Sequence, residues 1–210
     1  MNHQINSIIF DYGGVISLPQ DEKTVGKICR LLKISKEILF SVYHQNRKDY
    51  DAGVLSAAEY WKNILILMGI KEIPDRKMKK LINLDIKSWQ KINRDTVKFL
   101  SILKKHGYKL AILSNMTYDT LPIISKSYWI KPFDVKVFSC EEKETKPGEQ
   151  IYKTVLARLG VSPENALFID DMIINIEAAK KMGINTIQFI NTEQLISDTG
   201  SLLNQDFTIK

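Results

Sequence analysis

The chain has 210 residues, 44% hydrophobic and 26% charged, which is the composition of an ordinary globular protein. This length allows one compact core with a modest insertion and excludes several full domains. Cys29 and Cys140 lie far apart without metal-type spacing, so we expect reduced thiols.

The sequence shows no signal for secretion or for a membrane. Its first residues lack the charged and apolar regions of a signal peptide. No apolar run approaches the ~20 residues that span a bilayer. We therefore expect a cytoplasmic protein with no membrane partner. The net charge of +6 comes from scattered lysines without interleaved aromatic residues, which favours a small anionic substrate over nucleic acid.

Five short apolar runs predict buried strands, at residues 5–10, 108–113, 135–138, 166–169 and 184–190. Helical signals fill the segments between the later strands. One predicted helix begins after Asn93, its N-cap, and ends at Gly107. The next predicted helix begins with Pro147 in its first turn and ends at Gly160, and residues 173–182 form a third helix. Strands that alternate with helices predict an α/β fold with a parallel sheet covered on both faces.

Residues 18–88 break this alternation, because only helical signals follow the first strand there. The candidate helices lie at residues 24–32, 37–44, 57–68 and 75–86. We expect this block to form a small all-helical cap. The predicted domains are thus a core of residues 1–17 and 89–210 and a cap of residues 18–88. The C-terminal residues after the fifth strand have no clear assignment.

Polar residues follow four of the predicted strands, at the sheet edge where ligands of parallel sheets bind. They are Asp11 after the first strand, Ser114 and Asn115 after the second, Lys146 beyond the third, and Asp170 and Asp171 after the fourth. Each residue alone is explained as a turn, cap or surface residue. Together they bring three carboxylates, a lysine and a hydroxyl to one crevice.

This set of residues fits phosphoryl transfer. A carboxylate such as Asp11 can attack phosphorus and form an acyl phosphate. Mg²⁺ held by the carboxylates would screen the two anions from each other. Lys146 adds positive charge near the transferred group, and Ser114 with nearby backbone N–H groups can hold phosphate oxygens.

Ordered segments of the chain resemble the motifs of the haloacid dehalogenase superfamily, over residues 5–190. These segments are FDYGGV at 10–15, LSN at 113–115, TKP at 145–147, FIDD at 168–171 and NIEAA at 175–179. DAGVLS at 51–56, followed by EYW at 59–61, resembles the helical-cap subgroup that includes bacterial sugar-1-phosphate phosphatases. The resemblance implies a Rossmann-like core with a small helical cap.

The resemblance also implies a role for each polar residue. By this resemblance, Asp11 is the nucleophile and also a Mg²⁺ ligand, together with the backbone carbonyl of Gly13. Asp170 and Asp171 hold the metal ion as well, Asp171 more directly. Ser114 and Asn115 bind the phosphate, and Lys146 stabilises both the nucleophile and the phosphate. The expected partner is a small phosphorylated metabolite, with a sugar 1-phosphate as one candidate. The chain is expected to be a monomer or a weak homodimer.

Gly13 departs from the pattern of most phosphatases in the superfamily, which have an aspartate at this position. That aspartate is a general acid–base, which is typically worth about 10²–10⁴ in rate. Three interpretations stay open: a slower enzyme, an acid supplied by the cap or the substrate, or a protein without turnover that senses a ligand or binds a partner. The helical-cap subgroup often has glycine here, which favours activity.

A metal-independent 2-haloacid dehalogenase is the alternative enzyme, because it also uses an aspartate nucleophile and lacks the second carboxylate. In that reaction Asp170 and Asp171 would repel Asp11 without a compensating cation. The sequence therefore favours the phosphatase. His44 in the predicted cap is either a surface histidine or a surrogate acid.

Overall fold

A five-stranded parallel sheet forms the centre of the computed structural model, which describes residues 4–207. Its strands are β1 (Ser7–Phe10), β2 (Lys109–Ser114), β3 (Val135–Phe138), β4 (Ala166–Asp170) and β5 (Asn185–Gln188). The order across the sheet is β3-β2-β1-β4-β5. The predicted α/β class is confirmed. Because the order reverses at β1, a crevice opens at the carboxyl ends of β1, β2 and β4.

Five α-helices lie in residues 22–88, between β1 and β2, and this segment contains no strand. They are α1 (Glu22–Leu32), α2 (Lys36–Tyr43), α3 (Lys48–Asp51), α4 (Ala57–Leu67) and α5 (Asp75–Ser88). The remaining helices are α6 (Arg94–Lys105), α7 (Leu121–Ile124), α8 (Ser139–Glu142), α9 (Glu149–Leu159), α10 (Ile173–Lys181) and α11 (Thr192–Leu203). Within residues 4–207, none of the helices has the length and apolar character to cross a bilayer.

The predicted helix signals around Asn93 and Gly160 are present, but the one at Pro147 is wrong. The side chain of Asn93 accepts a hydrogen bond from Thr96 N–H at the start of α6, and Gly160 ends α9 with φ +68°. Pro147 lies in a turn before α9, after a cis peptide bond from Lys146. The N-cap of α9 is Gly148, so the proline is outside the first turn of the helix.

The C-terminal segment without a predicted structure forms α11. The side chain of Asn191 accepts a hydrogen bond from Gln194 N–H and caps this helix. Its buried residues are Leu195 and Thr199. The helix packs beside α6, and the hydroxyl of Thr192 lies 3.0 Å from that of Thr96.

Hydrophobic side chains form three separate clusters. Phe10 belongs to the cluster on one face of the sheet, and Ile9 belongs to the cluster on the other face. The third cluster is built from residues 25–81 alone and includes the fully buried Trp61 and Leu81. From this separation we propose the division into a cap of residues 18–88 and a core made of the rest.

Two short connections join the helical block to the sheet, and they run side by side. The N–H groups of Leu18 and Asp21 donate to the carbonyls of Lys91 and Ser88, at 2.7 and 2.8 Å. Residues 17 and 92 form an isolated antiparallel bridge. The two ends of the helical block are therefore held next to each other at the edge of the crevice.

Candidate active site

Lys146 links two carboxylates at the carboxyl end of the sheet. Asp11 directly follows β1, and its N–H donates to the Ile169 carbonyl at 2.9 Å. The Nζ atom of Lys146 lies 2.7 Å from Oδ1 of Asp11 and 2.6 Å from Oδ2 of Asp170. All three side chains are buried. The predicted convergence of these residues is therefore present in the structure.

Asp170 is the most enclosed carboxylate of the group. Besides Lys146, it accepts hydrogen bonds from Met172 N–H at 2.8 Å and from Nδ2 of Asn175, which lies 3.0 Å from both carboxylate oxygens. Asn175 lies in one of the segments that carry the family resemblance, but its role here was not predicted from the sequence. An asparagine in the first turn of the helix after a strand-end aspartate is the signal that could have identified it.

Three carboxylates could hold a metal ion together. One oxygen each from Asp11, Asp170 and Asp171 can be chosen so that all three atoms lie within 4.8 Å of one another. Lys146 is the cation paired with two of them, so the four side chains together carry more negative than positive charge. Carboxylate oxygens are the ligands that Mg²⁺ prefers, and the donor set fits this ion.

The pKa values of these groups reflect burial and mutual repulsion. Burial raises the pKa of Asp11 to about 7, with Lys146 opposing the shift and Asp170 adding to it. Burial and the neighbouring Asp170 raise the pKa of Asp171 to about 6. Burial alone would lower the pKa of Lys146, but Asp11 and Asp170 outweigh it and hold the pKa above its usual value. Lys146 therefore stays charged.

Ser114 is the last residue of β2, Asn115 follows it, and both line the same cavity as Asp11. The side chain of Asn115 binds the backbone of Lys146 at both ends: Oδ1 accepts from Lys146 N–H at 2.8 Å, and Nδ2 donates to the Lys146 carbonyl at 3.0 Å. Asn115 thus positions the lysine. Phosphate binding by these two residues stays a prediction.

Gly13 and Gly14, in the turn after Asp11, differ in conformation. Gly14 has φ +74°, and a Cβ atom there would lie 2.4 Å from Oδ2 of Asp171. Gly13 has φ −67°. A Cβ atom at Gly13 would lie 3.8 Å from both Oδ2 of Asp11 and Cζ3 of Trp89, which is ordinary contact distance. The turn therefore requires glycine at Gly14 but not at Gly13.

A cavity of about 980 Å³ lies between the carboxyl edge of the sheet and the helical block. Its floor includes Asp11, Lys146 and Asp171. Its other walls include Phe40, His44, Arg47, Asp51 and Trp89. A substrate bound at Asp11 would therefore contact side chains of the helical block.

A family model described as haloacid dehalogenase-like hydrolase matches residues 55–189. The chain belongs to this family. The matched range contains four of the five segments that carried the superfamily resemblance, those with Ser114, Lys146, Asp170 and Asn175, and the superfamily prediction is confirmed.

Relatives of this hydrolase include phosphatases. D-ribitol-5-phosphate phosphatase from Bacteroides thetaiotaomicron is 27% identical over 88% of this chain and 91% of its own length. Mouse acyl-CoA dehydrogenase family member 10 is 32% identical over 50% of this chain, and rat bifunctional epoxide hydrolase 2 is 33% identical over 54%. The chain spans only 10% and 20% of the length of these two mammalian proteins.

Solved structures share the fold of this hydrolase. A predicted HAD-like family hydrolase from Porphyromonas gingivalis has a TM-score of 0.74 at 23% identity, with 97% of this chain and 100% of that chain covered. The HAD family enzyme bt-2542 from Bacteroides thetaiotaomicron has a TM-score of 0.71 at 22% identity, with 91% of this chain and 98% of that chain covered. L-2-haloacid dehalogenase from Xanthobacter autotrophicus has a TM-score of 0.68 at 21% identity, with 94% of this chain and 83% of that chain covered.

The sequence analysis missed most of the cavity wall that faces Asp11. His44 was considered, and it lines the cavity with its ring stacked on Phe40 at 5.4 Å. Arg47 and Asp51 were given no role, although both line the cavity. Their spacing of four residues predicts an ion pair on a helix, but not which way the pair faces.

Proposed function

We propose that this hydrolase is a Mg²⁺-dependent phosphatase that acts on small phosphomonoesters through an aspartyl phosphate on Asp11. The observation that carries the proposal is the position of Lys146, 2.7 Å from Asp11 and 2.6 Å from Asp170, in a site with a further carboxylate, Asp171. The lysine stabilises the ionised nucleophile, and the carboxylates supply the oxygen ligands for a divalent cation.

The relatives support a phosphomonoester substrate. The relative that aligns over 88% of this chain is a D-ribitol-5-phosphate phosphatase. A structural neighbour, bt-2542, has been solved in complex with magnesium and inorganic phosphate. For this chain we propose small phosphorylated metabolites as the substrate class, with sugar 1-phosphates among the candidates.

The proposed reaction has two steps. An oxygen of Asp11 attacks phosphorus, the P–O bond to the substrate's alcohol breaks, and the departing oxygen takes a proton. Water then attacks the phosphorus of the aspartyl phosphate, the bond between phosphorus and Asp11 breaks, and inorganic phosphate leaves. Lys146 holds Oδ1 of Asp11 in place, while Ser114 and backbone N–H groups near the strand ends bind phosphate oxygens.

Asp11, Asp170, Asp171 and the Gly13 carbonyl would hold the Mg²⁺ ion. When bound, the ion supplies positive charge that screens the attacking carboxylate from the phosphate. Asp171 is half-buried and borders the cavity, whereas Asp170 is fully buried and already engaged by Lys146 and Asn175. We therefore propose Asp171 as the more direct ligand.

The nucleophile is tested by Asp11→Asn. The amide has almost the same shape but cannot attack phosphorus, so we expect turnover of 4-nitrophenyl phosphate to be lost while the fold is retained. Asp75→Asn, a change at an exposed residue of α5, is the matched control and should retain full activity. Mass spectrometry of quenched reactions should find a phosphoryl group on Asp11 in the wild type. Near wild-type turnover by Asp11→Asn would refute the assignment.

The metal is tested by chelation and by two substitutions. We expect excess EDTA to stop hydrolysis and Mg²⁺ to restore it. Calorimetric titration with Mg²⁺ should show weaker binding for Asp171→Asn than for Asp170→Asn. If the protein does not hydrolyse phosphate esters and releases halide from 2-chloropropionate in excess EDTA, the dehalogenase alternative replaces the phosphatase.

A further inference from the structure

A charged pair of the helical block forms part of the cavity wall opposite the nucleophile. Arg47 and Asp51 line the cavity, and their side chains are 16% and 11% exposed. Nε and Nη2 of Arg47 donate to Oδ1 of Asp51, at 3.1 and 2.7 Å. The exposed part of the pair therefore borders the space that a substrate's leaving group would occupy.

Three tyrosine rings hold the Arg47 guanidinium in place. Its central carbon lies 5.1, 5.2 and 5.8 Å from the ring centres of Tyr43, Tyr50 and Tyr60. These distances are within the range of cation–π contacts. Nη1 also donates to the Tyr43 hydroxyl. Because the guanidinium is already fixed, binding a further acceptor costs little side-chain entropy.

The pair keeps hydrogen-bonding capacity for a ligand. A guanidinium has five N–H groups. Within residues 4–207, the contacts of Arg47 with Asp51 and Tyr43 use three of them. Oδ2 of Asp51 has a longer contact of 3.3 Å with Nε, and a carboxylate oxygen accepts more than one hydrogen bond. A donor and an acceptor thus stand side by side on one wall.

We infer that Arg47 and Asp51 recognise two neighbouring hydroxyl groups on the leaving group of a phosphomonoester, an inference that rests on the proposed phosphatase function. One hydroxyl donates to Asp51, and the adjacent hydroxyl accepts from Arg47. If the leaving group lacks one of the two hydroxyls, a polar atom of Arg47 or Asp51 is buried by the substrate without a hydrogen-bond partner, which weakens binding. The substrate class is phosphate esters of sugars or polyols that carry a vicinal diol.

The neighbouring walls fit the carbon skeleton of such a substrate. Phe40 and Trp89 line the same cavity and offer apolar ring surface. The C–H groups of a sugar or polyol can pack on these rings while its hydroxyls reach the charged pair. The cavity volume of about 980 Å³ is ample for a pentose or hexose phosphate.

The test compares ribose 5-phosphate with 2-deoxyribose 5-phosphate, which lacks one hydroxyl of a vicinal pair. The wild type should favour ribose 5-phosphate by about tenfold or more in kcat/KM. Asp51→Asn replaces an acceptor by a donor, and Arg47→Lys keeps the charge but removes the planar fork. Each variant should bring the ratio of kcat/KM for the two pentose phosphates close to one, by lowering kcat/KM for ribose 5-phosphate more than for 2-deoxyribose 5-phosphate or 4-nitrophenyl phosphate.

A matched control lies on the same cavity wall. Glu22 lines the cavity and pairs with Lys36 at 3.5 Å, but its side chain is 88% exposed. Glu22→Gln should leave the substrate ratio unchanged. An equal loss of activity on all three substrates in both Asp51→Asn and Arg47→Lys would assign the pair a structural role and overturn the inference.

Two further outcomes separate the inference from the proposed function. A wild type that hydrolyses 4-nitrophenyl phosphate but treats the two pentose phosphates alike would overturn the inference and leave the phosphatase function intact. A wild type that hydrolyses no phosphate ester would overturn the proposed function. Calorimetric binding of the two pentose phosphates would then decide the inference without turnover, and equal affinities would overturn it.

Discussion

The two glycines of the nucleophile turn have different reasons to be glycine. Gly14 is required by its backbone conformation and by the closeness of Asp171. Gly13 has neither constraint, since its φ is −67° and a Cβ atom would meet its neighbours at 3.8 Å. The lack of a carboxylate at Gly13 is therefore a chemical feature of this site and not a steric requirement of the turn.

Adding one methyl group at each glycine distinguishes the two cases. Gly13→Ala should retain turnover of 4-nitrophenyl phosphate and change the unfolding free energy by less than about 1 kcal/mol. Gly14→Ala should lose most of the turnover, because the left-handed conformation is strained by about 1–2 kcal/mol and the methyl group would displace Asp171. Activity assays and thermal unfolding measure both effects. Similar behaviour of the two variants would contradict this interpretation.

The lack of a general acid at Gly13 predicts a preference for acidic leaving groups. An anomeric hydroxyl is more acidic than a primary alcohol and depends less on proton donation. We expect the wild type to have a higher kcat/KM for glucose 1-phosphate than for glucose 6-phosphate. Gly13→Asp should reduce this preference, and Gly13→Asn, of the same size but without an acid, should not.

A preference for glucose 6-phosphate over glucose 1-phosphate would show that a group of the site donates a proton to the leaving oxygen. If the wild type favours glucose 6-phosphate by about tenfold, or roughly 1.4 kcal/mol, another group supplies the acid. His44 lines the cavity and is then the residue to replace first. Such a result would refute the argument from Gly13.

At the scale of elements, α3 of the helical block lies against α8 of the core. The hydroxyl of Ser139 donates to the Asp51 carbonyl at 2.6 Å and accepts from Met116 N–H at 2.8 Å. The Nζ atom of Lys143 donates to the Gly53 carbonyl at 2.9 Å. These contacts hold the segment that carries Asp51 against the strand ends, and so fix one wall of the cavity.

Ser139→Ala should weaken this contact measurably. The change leaves the Met116 N–H group buried without its partner, which costs about 1–3 kcal/mol of unfolding free energy. Ser127→Ala is the matched control, because its hydroxyl donates to the Ile123 carbonyl at an exposed position and its loss should cost less than about 0.5 kcal/mol. Urea unfolding of both variants gives the comparison, and equal losses would contradict the expectation.

Sequence patterns predicted the elements that have a clear period and missed those that do not. The central strands β1, β2 and β4 are buried and read as nearly continuous apolar runs, which is why they were found. The edge strands β3 and β5 are partly exposed and were found from shorter apolar signals. Four-residue helices such as α3 and α8 are too short to show a helical period. A proline before a helix has the same sequence signal whether it opens the first turn or lies in a preceding turn, and this is why Pro147 was misassigned.

The same limit applies to the candidate site. The chain order of the strands brings Asp11, Lys146 and Asp170 to one edge, and their convergence followed from that order. The partners of Asn115 depend on the path of a loop, and no local pattern encodes that path. The orientation of Arg47 depends on how the helical block lies over the sheet, which is a tertiary property.

At the scale of the whole molecule, the separate hydrophobic clusters predict that the helical block can open without unfolding the sheet. Leu81→Ala in the block and Leu110→Ala in β2 delete equivalent fully buried side chains, and each should cost about 2–5 kcal/mol locally. Hydrogen exchange should show that Leu81→Ala lowers protection in α1, α4 and α5 alone. Leu110→Ala should lower protection throughout.

A uniform loss of protection in Leu81→Ala would show that the block and the sheet unfold as one cooperative unit. The proposed boundaries at residues 18 and 88 would then be wrong. Near-UV circular dichroism on both variants checks that each retains native packing before exchange is measured.

The paired connections at residues 17–21 and 88–93 have an evolutionary consequence. Leu18 and Asp21 reach Lys91 and Ser88 through backbone groups, which any side chain except proline can provide at the donor positions. Because the two ends of the proposed cap meet, a block of different length or packing could occupy the same position without moving Asp11 or Lys146. Selection can therefore exchange the surface that chooses the substrate while the chemistry is inherited unchanged, and a chimera carrying a foreign block should keep its nucleophile and change its preferences.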